Sequence, residues 1–198
     1  MKSLNIYKTK FKKFGVDSKS LLWKSSGAAH QRFRQFWAEI DFNDKKVLDI
    51  GCGFGEMGNF LAKRYKNVDY KGIDITPEFI ESGQKLYPAF DLNVADFHDL
   101  INTESYDVVL ASGVLNSNIK NNMEYRKDAI KKMFELTDDV LAFNMLGGHP
   151  QPNNNSDSNV WYADSLEILE YCMTLTHRVI LRANYHPKDF TILMYKEK

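Results

Sequence analysis

The stretch from Val47 to Gly55, reading Val-Leu-Asp-Ile-Gly-Cys-Gly-Phe-Gly, constrains this chain more than any other. Val47 to Ile50 is a short run, apolar except for Asp49, and predicts a strand. Gly51, Gly53 and Gly55 predict a tight turn, because glycine takes positive φ without steric cost and lets a ligand approach the backbone. From Glu56 to Tyr65 the apolar residues Met57, Phe60, Leu61 and Tyr65 recur at helical spacing, with Gly58 among them. Strand, glycine turn and helix start make a cradle with free N–H groups at the positive end of a helix dipole. Such a cradle suits a nucleotide. A glycine turn that only packs a helix against a strand has the same local pattern, so the discrimination lies further along the chain.

Tyr70 to Asp74 predicts a second strand, ending on an acid about 20 residues past the turn, the spacing of a ribose-gripping carboxylate. A carboxylate there can accept from both ribose hydroxyls. Capping a helix is the alternative role, but Thr76 and Pro77 supply a cap and a first helical residue, which leaves Asp74 for a ligand. A helix is expected over Pro77–Leu86 and a third strand over Phe90–Val94. Asp96 and Phe97 follow. They suit an adenine, with Asp96 accepting from the exocyclic amine and Phe97 packing on the ring; a loop acid beside a core phenylalanine is the other reading. Tyr106–Leu110 predicts a fourth strand running into Ala111-Ser112-Gly113, small residues that permit close ligand approach. A helix over Arg126–Leu136 and a fifth strand over Val140–Met145 come next.

Residues 146–160 predict a long loop carrying Gly147, Gly148, His149, Pro150 and Pro152, of the kind that serves as a lid or binding loop. A short helix, Ser165–Met173, precedes strand-like runs at Arg178–Ala183 and Phe190–Tyr195. The turn between those runs is too short for a helical crossover, so they are expected to be antiparallel.

Ahead of the glycine turn, Ala28–Ile40 predicts a helix with Phe33, Phe36, Trp37 and Ile40 on one stripe. Before it, Lys2, Lys8, Lys10, Lys12, Lys13 and Lys19 face Asp17 as the one acid. Residues 1–20 lack clear periodicity and read as a solvated arm; the sharper alternative is an arm that folds over the active site or touches an anionic partner. The chain is divided accordingly into an arm, 1–27, and a domain, 28–198. Lys plus Arg and Asp plus Glu both total 26, which argues against a protein built around phosphate-backbone attraction. The 2 cysteines, Cys52 and Cys172, suggest neither a disulfide framework nor a zinc site, and Cys52 reads as a small filler in the turn. With no apolar run long enough to span a membrane and no signal-peptide pattern, cytoplasmic location is expected.

In this order, Asp49-x-Gly51-x-Gly53-x-Gly55, Asp74, Asp96-Phe97 and Ser112-Gly113 resemble the motifs of the class I S-adenosylmethionine-dependent methyltransferases. More narrowly, Ala111-Ser-Gly113-x-x-Asn116, Ala142-Phe-Asn144 and Asp189-Phe-Thr191 resemble small bacterial members of undefined substrate. The resemblance implies an α/β fold: a Rossmann-like, seven-stranded, mostly parallel sheet with a C-terminal antiparallel strand pair and helices on both faces. It implies S-adenosyl-L-methionine as cofactor and S-adenosyl-L-homocysteine as product; no metal-ligand cluster appears in the sequence, so no metal is expected. Cofactor contacts are implied from Asp49, Gly51, Cys52, Gly53 and Gly55 in the turn, from Asp74 and Ile75 after the second strand, and from Asp96, Phe97, Ser112 and Gly113. Arg32 is the candidate for the cofactor carboxylate.

The acceptor is expected to be a small molecule with an oxygen or nitrogen nucleophile, methylated by in-line displacement, on a monomer or homodimer. Holding the reactants in line is the protein's main contribution, and a protonated nucleophile calls for a base. His149 is the candidate base, with His30 second. Trp23, Asn116, Asn144, Trp161 and Tyr162 are candidates for the acceptor pocket. The alternatives are a catalytically silent cofactor-binding domain and a nucleic-acid methyltransferase using the basic arm, the latter disfavoured by the neutral charge. A nicotinamide oxidoreductase is opposed by the closing antiparallel pair and by Asp49 ahead of the first glycine.

Overall fold

The structure, a computed structural model, describes residues 2–23, 25–100, 104–154 and 158–197, and for residues 2–4 the backbone only. The chain forms two compact units, Met1–Leu100 and Ile101–Lys198.

In the first unit the elements run α1 (Lys2–Phe14), a 3-10 turn (Ser18–Leu21), α2 (Ser26–Trp37), β1 (Lys45–Ile50), α3 (Glu56–Ala62), β2 (Val68–Asp74), α4 (Pro77–Leu86) and β3 (Asp91–Val94). The strands are parallel in the order β3-β2-β1. The apolar run that predicted β1 is core: Val47, Leu48 and Ile50 are buried, and so are Met57, Phe60 and Leu61 on α3. Helix α2 stops at Trp37, three residues short of the expected end, and Trp37 stands 44% exposed with the Arg64 guanidinium 5.1 Å from its ring. Residues 2–14, read as part of an irregular arm, are helical. Tyr7 and Phe11, one turn apart, pack against Phe79 at 5.9 Å each, and Phe11 also meets Phe54. The apolar stripe of α1 is narrow and interleaved with lysines, which conceals it from a periodicity reading.

The second unit holds β4 (Tyr106–Ser112), α5 (Asn122–Glu135), β5 (Thr137–Gly148), β6 (Ala163–Asp164), α6 (Ser165–Leu175), β7 (Val179–Arg182) and β8 (Asp189–Tyr195). Its strands are ordered β4-β5-β8-β7, with β4 parallel to β5 and β8 antiparallel to both β5 and β7. The closing antiparallel pair is therefore as expected, within a mostly parallel Rossmann-like α/β architecture.

Two differences from expectation share one cause. Strand β5 runs on to Gly148 instead of ending at Met145, and a short additional strand, β6, pairs parallel with its end. The ladder to β8 continues to Leu146 opposite Asp189, and Gly147 N–H donates to Lys188 O at 3.0 Å, so the glycines remain strand and not loop.

Gly147 is indispensable to that pairing. Its φ is +150°, and a Cβ there would lie 2.1 Å from the Ala163 carbonyl oxygen. Gly147→Ala is expected to cost about 2–3 kcal/mol, read as a lower urea midpoint with an unchanged slope.

Candidate active site

In the first unit the glycine turn and the end of β2 lie against each other. Gly51, Gly53 and Gly55 have φ of 70°, 57° and 87°, the left-handed region that only glycine enters freely. The turn is laced to the end of β2: Gly51 and Cys52 N–H donate to Ile73 O at 2.8 and 3.0 Å. Asp74 lies against it, with Oδ2 accepting from Gly53 N–H at 3.1 Å and Oδ1 from Thr76 N–H at 2.8 Å. Asp74 thus does backbone work that its sequence context assigned to Thr76. Thr76 makes no side-chain cap bond to its own helix. Burial pushes the Asp74 carboxyl up, opposed by the Thr76 and Gly53 hydrogen bonds. Each oxygen keeps an accepting position for a further donor. Ile75, 42% exposed beside it, offers an apolar face.

Not every glycine of the stretch serves the cradle. A Cβ on Gly58 would lie 2.6 Å from the Tyr70 ring, so Gly58 is there for packing. Cys52 is buried, with Sγ 2.8 Å from where a Cβ on Gly72 would stand, and burial pushes its thiol well above the usual range.

Asp49 is buried at the end of β1 and accepts a 2.6 Å hydrogen bond from the Tyr70 hydroxyl. Burial raises its carboxyl to about 7; the Tyr70 hydrogen bond opposes the rise and the Asp74 charge adds to it. An acid whose folded pKa is raised binds its proton more tightly folded than unfolded, so stability falls as pH climbs from about 4 to 7. Asp49→Asn mimics the protonated acid. The variant is expected to match the parent near pH 4 and to exceed it in urea midpoint at pH 7; parallel pH curves would contradict this.

Asp96 and Phe97 follow β3, but their side chains are engaged locally. Asp96 Oδ1 accepts from His98 N–H at 3.0 Å and starts a 3-10 turn, while Phe97 is buried with its ring 4.1 Å from that of exposed His98. Arg32 donates to Ala28 O at 3.2 Å and its guanidinium lies 4.4 Å from the Trp23 ring, so these two candidates meet each other. His30 Nε2 is 3.9 Å from Glu56 Oε2.

In the second unit, the ends of β4 and β5 carry a polar pair. Ser112 Oγ donates to Asn144 Oδ1 at 3.3 Å, and Gly113, with φ of 76°, follows. Asn144 is buried and its Nδ2 lacks a partner among the described residues. A buried donor left unpaired is costly, which marks it as a position for an oxygen acceptor. Asn116 acts as a brace: its Oδ1 accepts from Leu146 N–H at 2.8 Å and its carbonyl from Trp161 N–H at 2.9 Å. Tyr162 is held through its backbone by Gln151 and Asn154, with Lys188 Nζ 5.8 Å from its ring.

His149 stands at the end of β5, where the Gly148–Asp164 pairing brings Asp164 beside it. His149 Nδ1 is 3.2 and 3.1 Å from the two Asp164 oxygens, and the imidazole is 54% exposed. Partial burial pushes Asp164 up, but N–H groups of Leu166 and Glu167 at the start of α6, with His149, outweigh this and hold its carboxyl below the usual range. An ionised carboxylate only accepts, so Nδ1 is the donor in this contact.

Three site residues escaped the sequence reading. Asp164 carries no signal of its own there, and only the β5–β6 register brings it to His149. Tyr70 reads as a strand residue, though it and Asp49 lie on one face of paired strands, with Asp49 opposite Gly72. Arg126, fully buried, donates to Leu115 O at 3.1 Å, to Asn122 and to Ser117 O, and its guanidinium is 4.6 Å from the Trp161 ring. Burial lowers its pKa to about 10. It fixes the segment after β4 and seats Trp161. Among the described residues no group of three or more His, Cys, Asp or Glu could hold a metal ion, and no helix is long and apolar enough to cross a membrane.

Comparison with known proteins gives these features a context. The family described as "Methyltransferase domain" matches residues 48–139. A Mycobacterium tuberculosis protein, named as a methyltransferase with no substrate given, is 29% identical over 162 residues, covering 76% of this chain and 92% of that protein. Among solved structures, DhpI with bound S-adenosylhomocysteine superposes with a TM-score of 0.69 at 13% identity, over 96% of this chain and 93% of that one. Magnesium protoporphyrin IX methyltransferase from Synechocystis, also with S-adenosylhomocysteine bound, gives 0.65 at 16% identity over 85% and 84%.

Proposed function

We propose that this chain is a class I S-adenosylmethionine-dependent methyltransferase that methylates a hydroxyl or amine of a small molecule, with His149 as the base. The observation that carries the proposal is the His149–Asp164 pair, 3.1 Å apart with Nε2 unencumbered by that contact.

S-adenosylmethionine supplies, when bound, a methyl group on a positively charged sulfur that a nucleophile can displace. The residues suited to hold it are the 51–55 turn and Asp74, the latter taking the ribose hydroxyls. Ile75 offers an apolar face to the adenine. Asn144 Nδ2, beside Ser112 and Gly113, would donate to an oxygen of bound ligand. His149 Nε2 takes the proton of the acceptor hydroxyl or ammonium, leaving a lone pair free to attack. Asp164 keeps Nδ1 protonated and stabilises the imidazolium as it forms. Trp161, seated by Arg126, and Tyr162 are suited to wall the acceptor.

Release of S-adenosylhomocysteine from labelled cofactor, measured across a panel of small alcohols, phenols and amines, tests the proposal. Acceptor-dependent release that collapses in His149→Ala supports it. Acceptor-dependent release that is unchanged in His149→Ala overturns the base assignment.

A further inference from the structure

The N-terminal segment, left without a role above, lies on the first unit's cofactor turn. The Leu21 Cδ2 atom is 2.9 Å from where a Cβ on Gly53 would stand. Phe11 packs on Phe54, the residue between Gly53 and Gly55, with ring centroids 6.2 Å apart. Phe11 and Tyr7 also both meet Phe79 on the first turn of α4, just past Asp74, and Phe54 itself is 5.0 Å from Phe79. Lys8 Nζ reaches Glu78 Oε1 at 3.5 Å. The reversal that returns the chain from α1 to Leu21 is pinned by Ser20, fully buried, whose hydroxyl donates to Gly15 O at 2.7 Å. The segment therefore touches both sides of the Asp74–glycine-turn grip.

We infer that residues 2–22 are a cap built into the S-adenosyl site, and that cofactor binding and cap seating strengthen one another; this rests on the cofactor reading above. A turn of glycines has no side chains with which to exclude water from a bound nucleoside. Leu21, Phe11 and Tyr7 bring that apolar cover from elsewhere in the chain. The Tyr7 hydroxyl is pushed up to about 12, by burial first and then by the Asp74 charge, which places the phenol within electrostatic reach of that carboxylate. Coupling of this kind is reciprocal: a ligand that favours the seated cap is itself bound more tightly when the cap is seated.

Limited trypsin digestion of the full chain reads cap seating, because cleavage requires local opening of the backbone. Lys12, Lys13 and Lys19 are exposed cleavage sites within the segment. Saturating S-adenosylhomocysteine is expected to slow cleavage there by about fivefold or more. Phe11→Ala is expected to accelerate cleavage and to weaken S-adenosylhomocysteine about tenfold in calorimetry. Should that variant not fold, Leu21→Ala removes the side chain that lies over Gly53 and is expected to accelerate cleavage and to weaken binding about fivefold. Calorimetric binding to the parent protein with cleavage unchanged or accelerated overturns the cap and leaves the cofactor reading standing. Absence of binding to the parent overturns both.

Discussion

Asp74→Ala is expected to weaken S-adenosylhomocysteine binding by roughly a hundredfold, from the loss of two charge-assisted hydrogen bonds to ribose at about 1.5 kcal/mol each. The same carboxylate holds Gly53 N–H and Thr76 N–H, so the alanine variant also loosens the turn itself. Its stability should fall by about 1–3 kcal/mol from the unpaired backbone donors. Asp74→Asn separates the effects. The amide keeps one acceptor oxygen and nearly the same shape, but it carries no charge and turns one position into a donor. Equilibrium dialysis with labelled cofactor should find the asparagine variant intermediate, weakened about tenfold, with a urea midpoint close to the parent's. Parent-like binding by Asp74→Asn would mean that the carboxylate serves the turn and not a ribose.

The second large effect falls on turnover and not on cofactor affinity. His149→Ala should lower kcat about a thousandfold, within the usual range for removing a general base, with S-adenosylhomocysteine binding unchanged. Asp164→Asn tests the orientation of that base. Asparagine is as good a helix N-cap as aspartate, so α6 should keep its start and the fold its stability. What changes is the partner of Nδ1: an amide can donate as well as accept, so the tautomer with Nε2 free is no longer enforced. A loss of about a hundredfold in kcat is expected, with cofactor binding intact. Added imidazole should restore part of the rate to His149→Ala and none to Asp164→Asn. A full rate in both variants would show that the acceptor loses its proton to solvent.

The sequence carried the frame of the first unit because its signals are local and change sharply. At Gly51 the pattern passes from an apolar strand to a helical spacing, and Asp74 ends the next strand at a readable distance. The same locality explains what was missed. Helix α1 was hidden because Tyr7 and Phe11 stand among lysines, and their partners, Phe54 and Phe79, lie far along the chain. Arg126 belongs to a polar run that looks like any solvated helix face; its burial depends on carbonyls of Leu115 and Ser117 turned toward it. Strand β6 has two residues, too few for any periodicity, and yet its register makes Asp164 the partner of His149.

Candidate site residues divide along the same line. Gly51, Gly53, Gly55 and Asp74 were legible because the turn requires positive φ and the acid follows at a set spacing. Arg32 and Trp23 were singled out separately, and the structure stacks them on each other at 4.4 Å. Asp96 reads either as a ligand contact or as a loop acid, and its oxygen starts a 3-10 turn, a role with the same sequence signature.

Calorimetric titration of S-adenosylhomocysteine into the purified chain tests the central claim most directly. The turn and Asp74, acting together, predict saturable binding with one site per chain and a Kd in the micromolar range or tighter. Absence of heat, together with no shift in thermal unfolding at millimolar ligand, would contradict the assignment of this site to an S-adenosyl cofactor.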